Sequence, residues 1–231
     1  MQAGSDMEDQ KRFDIEVIYS IATKIGSSGL GTVSYNAVKA LDEKGYLSIA
    51  ISYGNNSEIL KSKKLSLPGN PAKLLKLLFF LPRNYYSPLR NGFLDYITSK
   101  VILNKGCDVF HGWNNQALKS IKAAKKIGAK TILECGTTHI LYRGAILAIE
   151  YSKFGLKNRK VQAYARDAAL EELERSDFIF VASEFARKTF IEAGIRENKL
   201  FIINRGVNLD RFRPAASKDS KFRVLFAGRI T

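Results

Sequence analysis

The chain has 231 residues, with 37 lysines and arginines against 22 aspartates and glutamates, for a formal net charge of +15. Hydrophobic residues make up 45% and charged residues 26%, which is typical of a folded globular protein and excludes a disordered or fibrous one. The longest apolar runs, such as residues 77–81, are far shorter than the roughly 18–20 residues that span a bilayer, which excludes an integral membrane protein over this sequence. Residues 1–12 are predicted to form a polar tail, and without an apolar core they are not a secretory signal.

The cysteines and histidines are too few and too scattered to predict a metal site. Cys107 and Cys135 are the only cysteines, their spacing matches no zinc motif, and the chain has only two histidines. Isolated thiols are typical of buried residues in a reducing compartment. The sequence therefore predicts a cytoplasmic protein with no bound metal and no other cofactor.

Apolar strand-like runs alternate with helix-like patterns along the chain. In chain order, a strand at 13–21 and a glycine-rich loop precede a helix at 32–44 and a strand at 46–53. Two helices are predicted within 61–104, where Pro71 opens the first and Pro82 closes it. A strand at 108–111, a helix at 115–127 and a strand at 130–135 follow. The pattern continues with a helical region at 145–175, a strand at 177–182, a helix at 183–193 and a strand at 200–203.

This alternation predicts an α/β fold, a Rossmann-like parallel sheet with helices on both faces, over residues 13–205. Such sheets bind ligands at the carboxyl ends of their strands. Four polar clusters follow predicted strands, at residues 26–32, 111–115, 136–139 and 183–185. We therefore expect them to lie along one edge of the sheet and to mark its binding site.

The pattern changes after residue 203. Residues 206–220 contain Gly, Pro, Ser and charge without an apolar period, which predicts an interdomain linker. Residues 221–227 are typical of a new strand, and Gly228 and Arg229 follow it. Because a single strand cannot bury itself, residues 221–231 are predicted to be the first strand of a truncated second domain.

Much of the positive charge lies in the segment from residue 61 to residue 105. It holds nine basic residues and one acid, Asp95, together with several leucines, phenylalanines and tyrosines. Three interpretations are open: a solvated helix face around an apolar stripe, a surface for an anionic membrane, and a surface for nucleic acid. No nucleic-acid motif accompanies the charge, so the first two are favoured and nucleic acid is not an expected partner.

The loop at 25–32 (IGSSGLGT) joins the first strand to the first helix, where glycines bring the backbone close to a phosphate. Two further interpretations remain open. The loop is close to that of short-chain dehydrogenases, which would make the chain an NAD(P)-dependent oxidoreductase. However, Ile25 replaces the first glycine, and no acid follows the second strand to bind a ribose. The glycines are also compatible with tight turning alone.

His111 and His139 both lie at predicted strand ends. A histidine in that position is often structural and donates to a nearby carbonyl. Two histidines on one sheet edge, beside a glycine-rich loop, favour a functional role. His139 is the better candidate, because its side chain could bind a sugar hydroxyl or stabilise departing negative charge.

The C-terminal third carries the most specific pattern. Residues 172–214 read ELERSDFIFVASEFARKTFIEAGIRENKLFIINRGVNLDRFRP, and residues 222–231 read FRVLFAGRIT. This order of motifs closely resembles glycosyltransferase family 4, which has the GT-B fold of two facing Rossmann-like domains. Residues 131–150 and 31–46 resemble that family's Thr-His segment and its first helix. The resemblance covers nearly the whole chain except residues 1–11 and 61–105.

The resemblance implies transfer of a sugar from a nucleotide-sugar to an acceptor, with retention of the anomeric configuration and without a metal. By position, Gly29, Leu30 and Gly31 would meet the donor diphosphate, and Arg229 would hold it from the second domain.

His139 would lie beside the transferred sugar as the catalytic residue, with the acceptor or sugar contacted by His111, Thr138 and Arg143. The basic segment suggests a lipid-linked acceptor at the inner face of the cell membrane. The pathway implied is the synthesis of cell-surface polysaccharide, glycolipid or glycoconjugate. The family's paired acids and its diphosphate-binding lysine fall beyond residue 231, so this fragment is expected to be inactive alone.

Overall fold

The computed structural model describes residues 14–54, 64–66, 83–156 and 163–206, together with the single positions Arg213, Phe222, Val224 and Leu225. Seven strands form one sheet: β1 (Val17–Ile21), β2 (Leu47–Ser52), β3 (Lys64–Ser66), β4 (Val109–Trp113), β5 (Lys130–Cys135), β6 (Phe178–Val181) and β7 (Leu200–Ile202). Six helices accompany it: α1 (Leu30–Glu43), α2 (Arg83–Lys105), α3 (Leu118–Lys126), α4 (Ile140–Lys153), α5 (Ala163–Arg175) and α6 (Glu184–Glu192).

The sheet is entirely parallel among these strands, in the order β3-β2-β1-β4-β5-β6-β7. The order reverses at β1, where β2 pairs on one side and β4 on the other. This is a topological switch point, where open parallel sheets bind their ligands. The Rossmann-like fold with helices on the sheet is thereby confirmed.

The apolar core has one cluster on each face of the sheet. Ile18 of β1 belongs to the cluster that contains Phe110 and Ile121, whereas its neighbour Tyr19 belongs to the cluster that contains Trp113. Successive side chains of a strand point to opposite faces, so one run of apolar residues serves both clusters. Helices α2 and α3 cover the first face, and α1 covers the second.

Most predicted elements agree with the structure to within a few residues. The helical region predicted at 145–175 contains two helices, and the first begins earlier, at Ile140. Gly155 has φ of +63°, a left-handed conformation that ends a helix, and the amide of Leu156 donates to the carbonyl of Tyr151 at 3.0 Å. This is the hydrogen-bond pattern of a glycine-terminated helix.

In three other parts of the chain, the structure differs from the sequence prediction or does not describe the predicted element. Strand β3 was not predicted, since three residues carry almost no sequence pattern. Pro71 and Pro82, and the helix expected between them, lie outside the described residues, while α2 follows as one helix of 23 residues. Phe222, Val224 and Leu225, in the predicted strand at 221–227, are in no strand and expose 85–93% of their surface. Among the described residues no strand lies beside them to pair with, so the strand is not confirmed.

Two buried carboxylates fix the start of α3, which follows β4. Asp95 of α2 accepts hydrogen bonds from the amides of Lys119 at 2.7 Å and Ser120 at 2.8 Å. Glu172 of α5 accepts from the amides of Ala117 at 2.8 Å and Asn115 at 2.5 Å. The amides at a helix N-terminus have no acceptor within the helix, so these contacts satisfy them and tie α2, α3 and α5 together beside the carboxyl edge of the sheet.

Candidate functional site

A cleft of about 360 Å³ opens at the carboxyl edge of the sheet. Its walls come from the segments that follow β4 and β5 and from the first residue of α1, Leu30. Because β1 and β4 flank the point where strand order reverses, the cleft lies where the topology predicts a ligand. The lining residues are Leu30, Trp113, Asn114, Asn115, Gln116, Glu134, Cys135, Gly136, Thr137, Thr138, Ile140, Arg143, Leu173 and Phe190.

The glycine-rich loop before α1 is closed on itself by short hydrogen bonds. The amide of Gly26 donates to the carbonyl of Gly31 at 2.8 Å, and the hydroxyl of Thr32 donates to the carbonyl of Ser27 at 2.9 Å. Gly29 is the N-cap of α1 with φ of +69°, and no side chain caps the helix there. The start of α1 therefore presents backbone amides next to Leu30, at the mouth of the cleft.

The wall that follows β4 is held in a strained conformation. Asn115 has φ of +71°, and it is the only non-glycine among the described residues with positive φ. Asparagine tolerates this conformation better than most residues, but it is held there by contacts: its amide donates to Glu172 and its carbonyl accepts from Asn91 Nδ2 at 3.1 Å. Gln116 accepts a hydrogen bond from the amide of Ala22 and so joins this wall to the end of β1.

The floor of the cleft is packed against the indole of Trp113. Trp113 is almost fully buried and its Nε1 donates to the hydroxyl of Tyr19 at 2.7 Å. Gly136 sits over it: a Cβ on Gly136 would lie 3.4 Å from the indole and 3.2 Å from an Arg205 nitrogen. A glycine at this position keeps the cleft open between Trp113, Leu30 and Arg205.

Thr138 and Arg143 both line the cleft, as the sequence predicts for residues that contact a sugar or acceptor. Arg143 lies in the first turn of α4 and is half-buried. One guanidinium nitrogen, Nη1, donates to the hydroxyl of Thr137 at 3.2 Å. The guanidinium thus lies against the hydroxyl-bearing segment that follows β5.

His139 lies in the sequence between cleft residues, but its ring faces elsewhere. It is the N-cap of α4: its Nδ1 accepts from the amide of Leu141 at 3.4 Å, and its ring packs edge-on against Phe190 at 5.2 Å between centroids. The ring lines a second hollow, between α5, α6 and the segment before β7. Burial lowers the pKa of His139, which keeps the imidazole neutral and able to accept this hydrogen bond.

His111 is buried within the sheet and does not line the cleft. Its ring packs edge-on against Tyr19 and Phe180, and its Nε2 lies 3.3 Å from Glu134 Oε2 without hydrogen-bond geometry. Glu134 does line the cleft, so His111 adjoins the site through this carboxylate. The role of either histidine in contacting a sugar stays a prediction.

The structure thus brings together Leu30, Thr138 and Arg143, with Gly29 and Gly31 in the adjoining loop, and it separates His111 and His139 from them. Arg229 lies outside the described residues. No individual role was predicted from the sequence for five residues of the lining, although all lie within or beside the clusters that follow β4 and β5. They are Trp113, Gln116, Glu134, Gly136 and Thr137. Their position near the end of a strand can be predicted from the sequence, but that position does not show which side chains face the cleft.

Among the described residues, no three histidine, cysteine, aspartate or glutamate side chains are grouped to hold a metal ion. Within the same part of the chain, no helix is both long and apolar enough to cross a bilayer. Both cysteines are unpaired thiols, and Cys135 is a buried residue of the cleft lining.

The fold and the cleft define a Rossmann-like domain of the kind that forms the N-terminal half of GT-B glycosyltransferases. Residues 27–211 match the family model for Glycosyltransferase Family 4, and the chain belongs to this family. The family resemblance noted in the sequence is confirmed. None of the curated proteins is a match.

Three solved structures illustrate the fold. The apo form of the lipopolysaccharide outer core galactosyltransferase WaaB aligns with a TM-score of 0.52 and 15% identity, over 84% of this chain and 47% of that one. HepE from Anabaena, in complex with UDP and glucose, gives 0.52 and 12%, over 87% and 47%. TcCGT1, in complex with UDP, gives 0.51 and 11%, over 82% and 51%. The chain therefore spans about half the length of these proteins, and at these identities the likeness concerns the fold alone.

Proposed function

We propose that this chain forms the acceptor-side part of a glycosyltransferase that transfers a sugar from a nucleotide-sugar to an acceptor with retention, in the synthesis of cell-surface polysaccharide, glycolipid or glycoconjugate. The observation that carries the proposal is the cleft at the carboxyl ends of β4 and β5, faced by the start of α1, in a member of Glycosyltransferase Family 4. The titles of two similar structures name UDP as a bound ligand, which supports a nucleotide-sugar donor. No comparison favours the oxidoreductase alternative.

The start of α1 is suited to meet the donor diphosphate. Four helices have described N-caps, and three of them have side chains that accept from the first amides. Asp95 and Glu172 do so at α3, His139 at α4 and Ser183 at α6. Helix α1 has no side-chain cap, and its first residue, Leu30, lines the cleft. Helix N-termini bind anions through such amides and through the helix dipole.

The chemistry requires stabilisation of a departing nucleoside diphosphate. Donors that are already aimed at the developing charge lower the barrier, and a guanidinium suits a diphosphate because its N–H groups form a fork. We propose that Arg229 provides this group from the second domain, opposite the start of α1. The reaction in this scheme uses no metal and no other cofactor. We expect no turnover from this chain by itself.

The proposed activity is tested with the full-length protein that contains this chain. Purified enzyme is incubated with a panel of UDP-, GDP- and ADP-sugars and candidate glycan acceptors, with and without EDTA, and the product anomer is assigned by NMR. Transfer with retention that persists in EDTA, and that falls for Arg229→Ala but not for the exposed Arg166→Ala control, supports the proposal. Hydrolysis or transfer with inversion, or unchanged donor KM and kcat for Arg229→Ala, contradicts it. Nicotinamide-cofactor titration by fluorescence should give no binding.

We further propose that the protein is cytoplasmic and works at the inner face of the cell membrane on a lipid-linked acceptor. The basic, aromatic-rich segment at 61–105 supports this, because such segments bind anionic headgroups. Co-sedimentation with vesicles is expected to rise with the fraction of phosphatidylglycerol and to fall with salt. Binding that is indifferent to anionic lipid would remove this part of the proposal.

A further inference from the structure

The arginines of the described surface differ in how their charge is balanced. Three arginines pair with carboxylates. Arg166 lies 3.0 Å from Asp167, and Arg175 lies 2.6 Å from Glu171. Arg187 lies 3.2 Å from Glu184 and 2.9 Å from Glu197. Arg143 pairs with no carboxylate of the described residues, although it is partly buried like Arg187, whereas Arg166 and Arg175 are exposed. A half-buried cation without a counter-ion is costly unless an anion binds it.

The guanidinium of Arg143 has most of its hydrogen-bonding capacity unused. An arginine has five N–H donors, and the structure gives Arg143 one side-chain hydrogen bond, from Nη1 to the hydroxyl of Thr137. Arg143 lines the cleft. Paired N–H groups of a guanidinium match the two oxygens of a carboxylate or a phosphate.

The one acidic residue that lines the cleft does not neutralise this charge. Glu134 is directed to His111, with 3.3 Å between Oε2 and Nε2. On the other side of Gly136, Arg205 donates from Nη2 to the Gly136 carbonyl at 3.4 Å and also pairs with no described carboxylate. Two guanidinium groups therefore flank the segment after β5, and the remaining polar lining consists of neutral amides and hydroxyls.

We propose that the cleft recognises a negatively charged acceptor, a sugar that carries a carboxylate or a phosphate, through the guanidinium of Arg143 with Thr137 and Thr138 beside it. The inference rests on the proposed function in calling the ligand an acceptor. The amides and hydroxyls around the cation bind the sugar hydroxyls, and the Trp113 floor supports the apolar face of the ring. A neutral sugar leaves the guanidinium unpaired and binds more weakly.

The test measures binding to the 231-residue chain, without turnover. Titrations of ¹⁵N-labelled protein use glucuronate, glucose 1-phosphate, glucose and UDP, and follow the Nε–H resonance of Arg143 and the amides of Gly136 and Thr138. Glucuronate or glucose 1-phosphate is expected to shift these resonances and to bind about tenfold or more tightly than glucose, the usual size for charge-assisted hydrogen bonds. Arg143→Gln is expected to remove that advantage, and Arg143→Lys to keep only part of it because the fork is lost.

Arg166→Gln is the matched control, since it removes an exposed arginine that already has a carboxylate partner. The Tm of Arg143→Gln should equal that of the wild type, because only one hydrogen bond is lost. Glucose that binds as tightly as the charged sugars, or charged sugars that leave Arg143 unshifted, would overturn the proposal. If UDP alone shifts Arg143, the cation serves the donor diphosphate and the acceptor proposal is wrong. Charged-sugar binding in a protein that transfers no sugar would refute the proposed function and leave this site standing.

Discussion

The substitution Gly31→Ala tests how the loop before α1 is built. An ideal Cβ on Gly31 would lie 2.2 Å from the Ser27 hydroxyl oxygen and 2.5 Å from the Lys24 carbonyl oxygen. The serine side chain can rotate away, but the carbonyl belongs to the backbone, so residues 24–31 must shift. Overpacking of this kind costs about 1–3 kcal/mol.

A second effect of the substitution has the opposite sign. Alanine in a helix is favoured over glycine by roughly 0.5–1 kcal/mol, and Gly31 is the second residue of α1. Gly31 lies in the first turn, so the smaller gain of about 0.5 kcal/mol applies, and the net loss expected for Gly31→Ala is about 0.5–2.5 kcal/mol. For a chain of this size each kcal/mol lowers Tm by roughly 2–4 °C, so the melting temperature should fall by about 1–10 °C.

Gly92→Ala is the matched control, because Gly92 lies inside α2 and a Cβ there meets no atom within 4 Å. The same change of residue should raise Tm by roughly 1–4 °C. Thermal melts of the three proteins by circular dichroism, in one buffer, give the comparison. If Gly31→Ala melts at or above the wild type, the close packing of the loop on Gly31 is refuted.

The remaining predictions concern buried titratable groups. Burial raises the pKa of Glu172 to about 8, above its ordinary value, so its contribution to stability is full below the ordinary pKa and is lost as pH rises toward 8. Glu172→Gln should be less stable at pH 6 by about 1–3 kcal/mol, since its NH₂ replaces one of the two accepting oxygens and leaves either the Asn115 or the Ala117 amide without an acceptor. Its stability should also be flatter between pH 5 and 9 in urea melts. Burial lowers the pKa of His139, so the wild type should lose stability as pH falls below the ordinary histidine pKa. His139→Asn keeps an N-cap but loses the ring packing on Phe190, so its Tm should lie below that of the wild type at pH 8, and the difference should shrink at pH 5.5. A difference in Tm that is the same at both pH values would show that the imidazole is not involved. Burial first, and the nearby Asp108 and Glu16 charges second, raise the pKa of Cys107 to about 11, and burial also raises the pKa of Cys135 well above its ordinary value. Both thiols should therefore react slowly with a disulfide reagent at pH 8 and rapidly in guanidinium, and rapid native labelling of either would contradict the burial seen here.

The sequence predicts the fold because the same hydrophobic pattern is repeated in every strand–helix unit of the chain. Parallel strands buried on both faces are continuous apolar runs, and the helices between them carry a different period. Strand β5 was predicted at its observed bounds, and the ordered motifs of the C-terminal third indicate the family. The local hydrophobic pattern does not predict a very short element such as β3. It also does not predict where a glycine ends a helix within a helical period, as Gly155 does.

The site was predicted only in outline, since sequence gives position along an element and not the direction of a side chain. Thr138, His139 and Arg143 lie within six residues, yet Thr138 and Arg143 face the cleft while the His139 ring caps α4 beside Phe190. That difference depends on where α4 begins and on what packs against it from α6. The pairing of Glu172 with the β4–α3 turn likewise joins residues more than fifty positions apart.

The amino-acid sequence alone thus determines the strand–helix alternation, the placement of polar clusters after strands and the family motifs, because each depends on neighbours a few residues apart. Only the tertiary structure decides which polar groups share the cleft and which charges are neutralised. Lys122 and Arg143 both lie on helices, but Lys122 is 2.9 Å from Glu171 of another helix, whereas Arg143 faces an open cleft. Charge balance depends on distances between elements that are remote in the chain, and folding alone sets those distances.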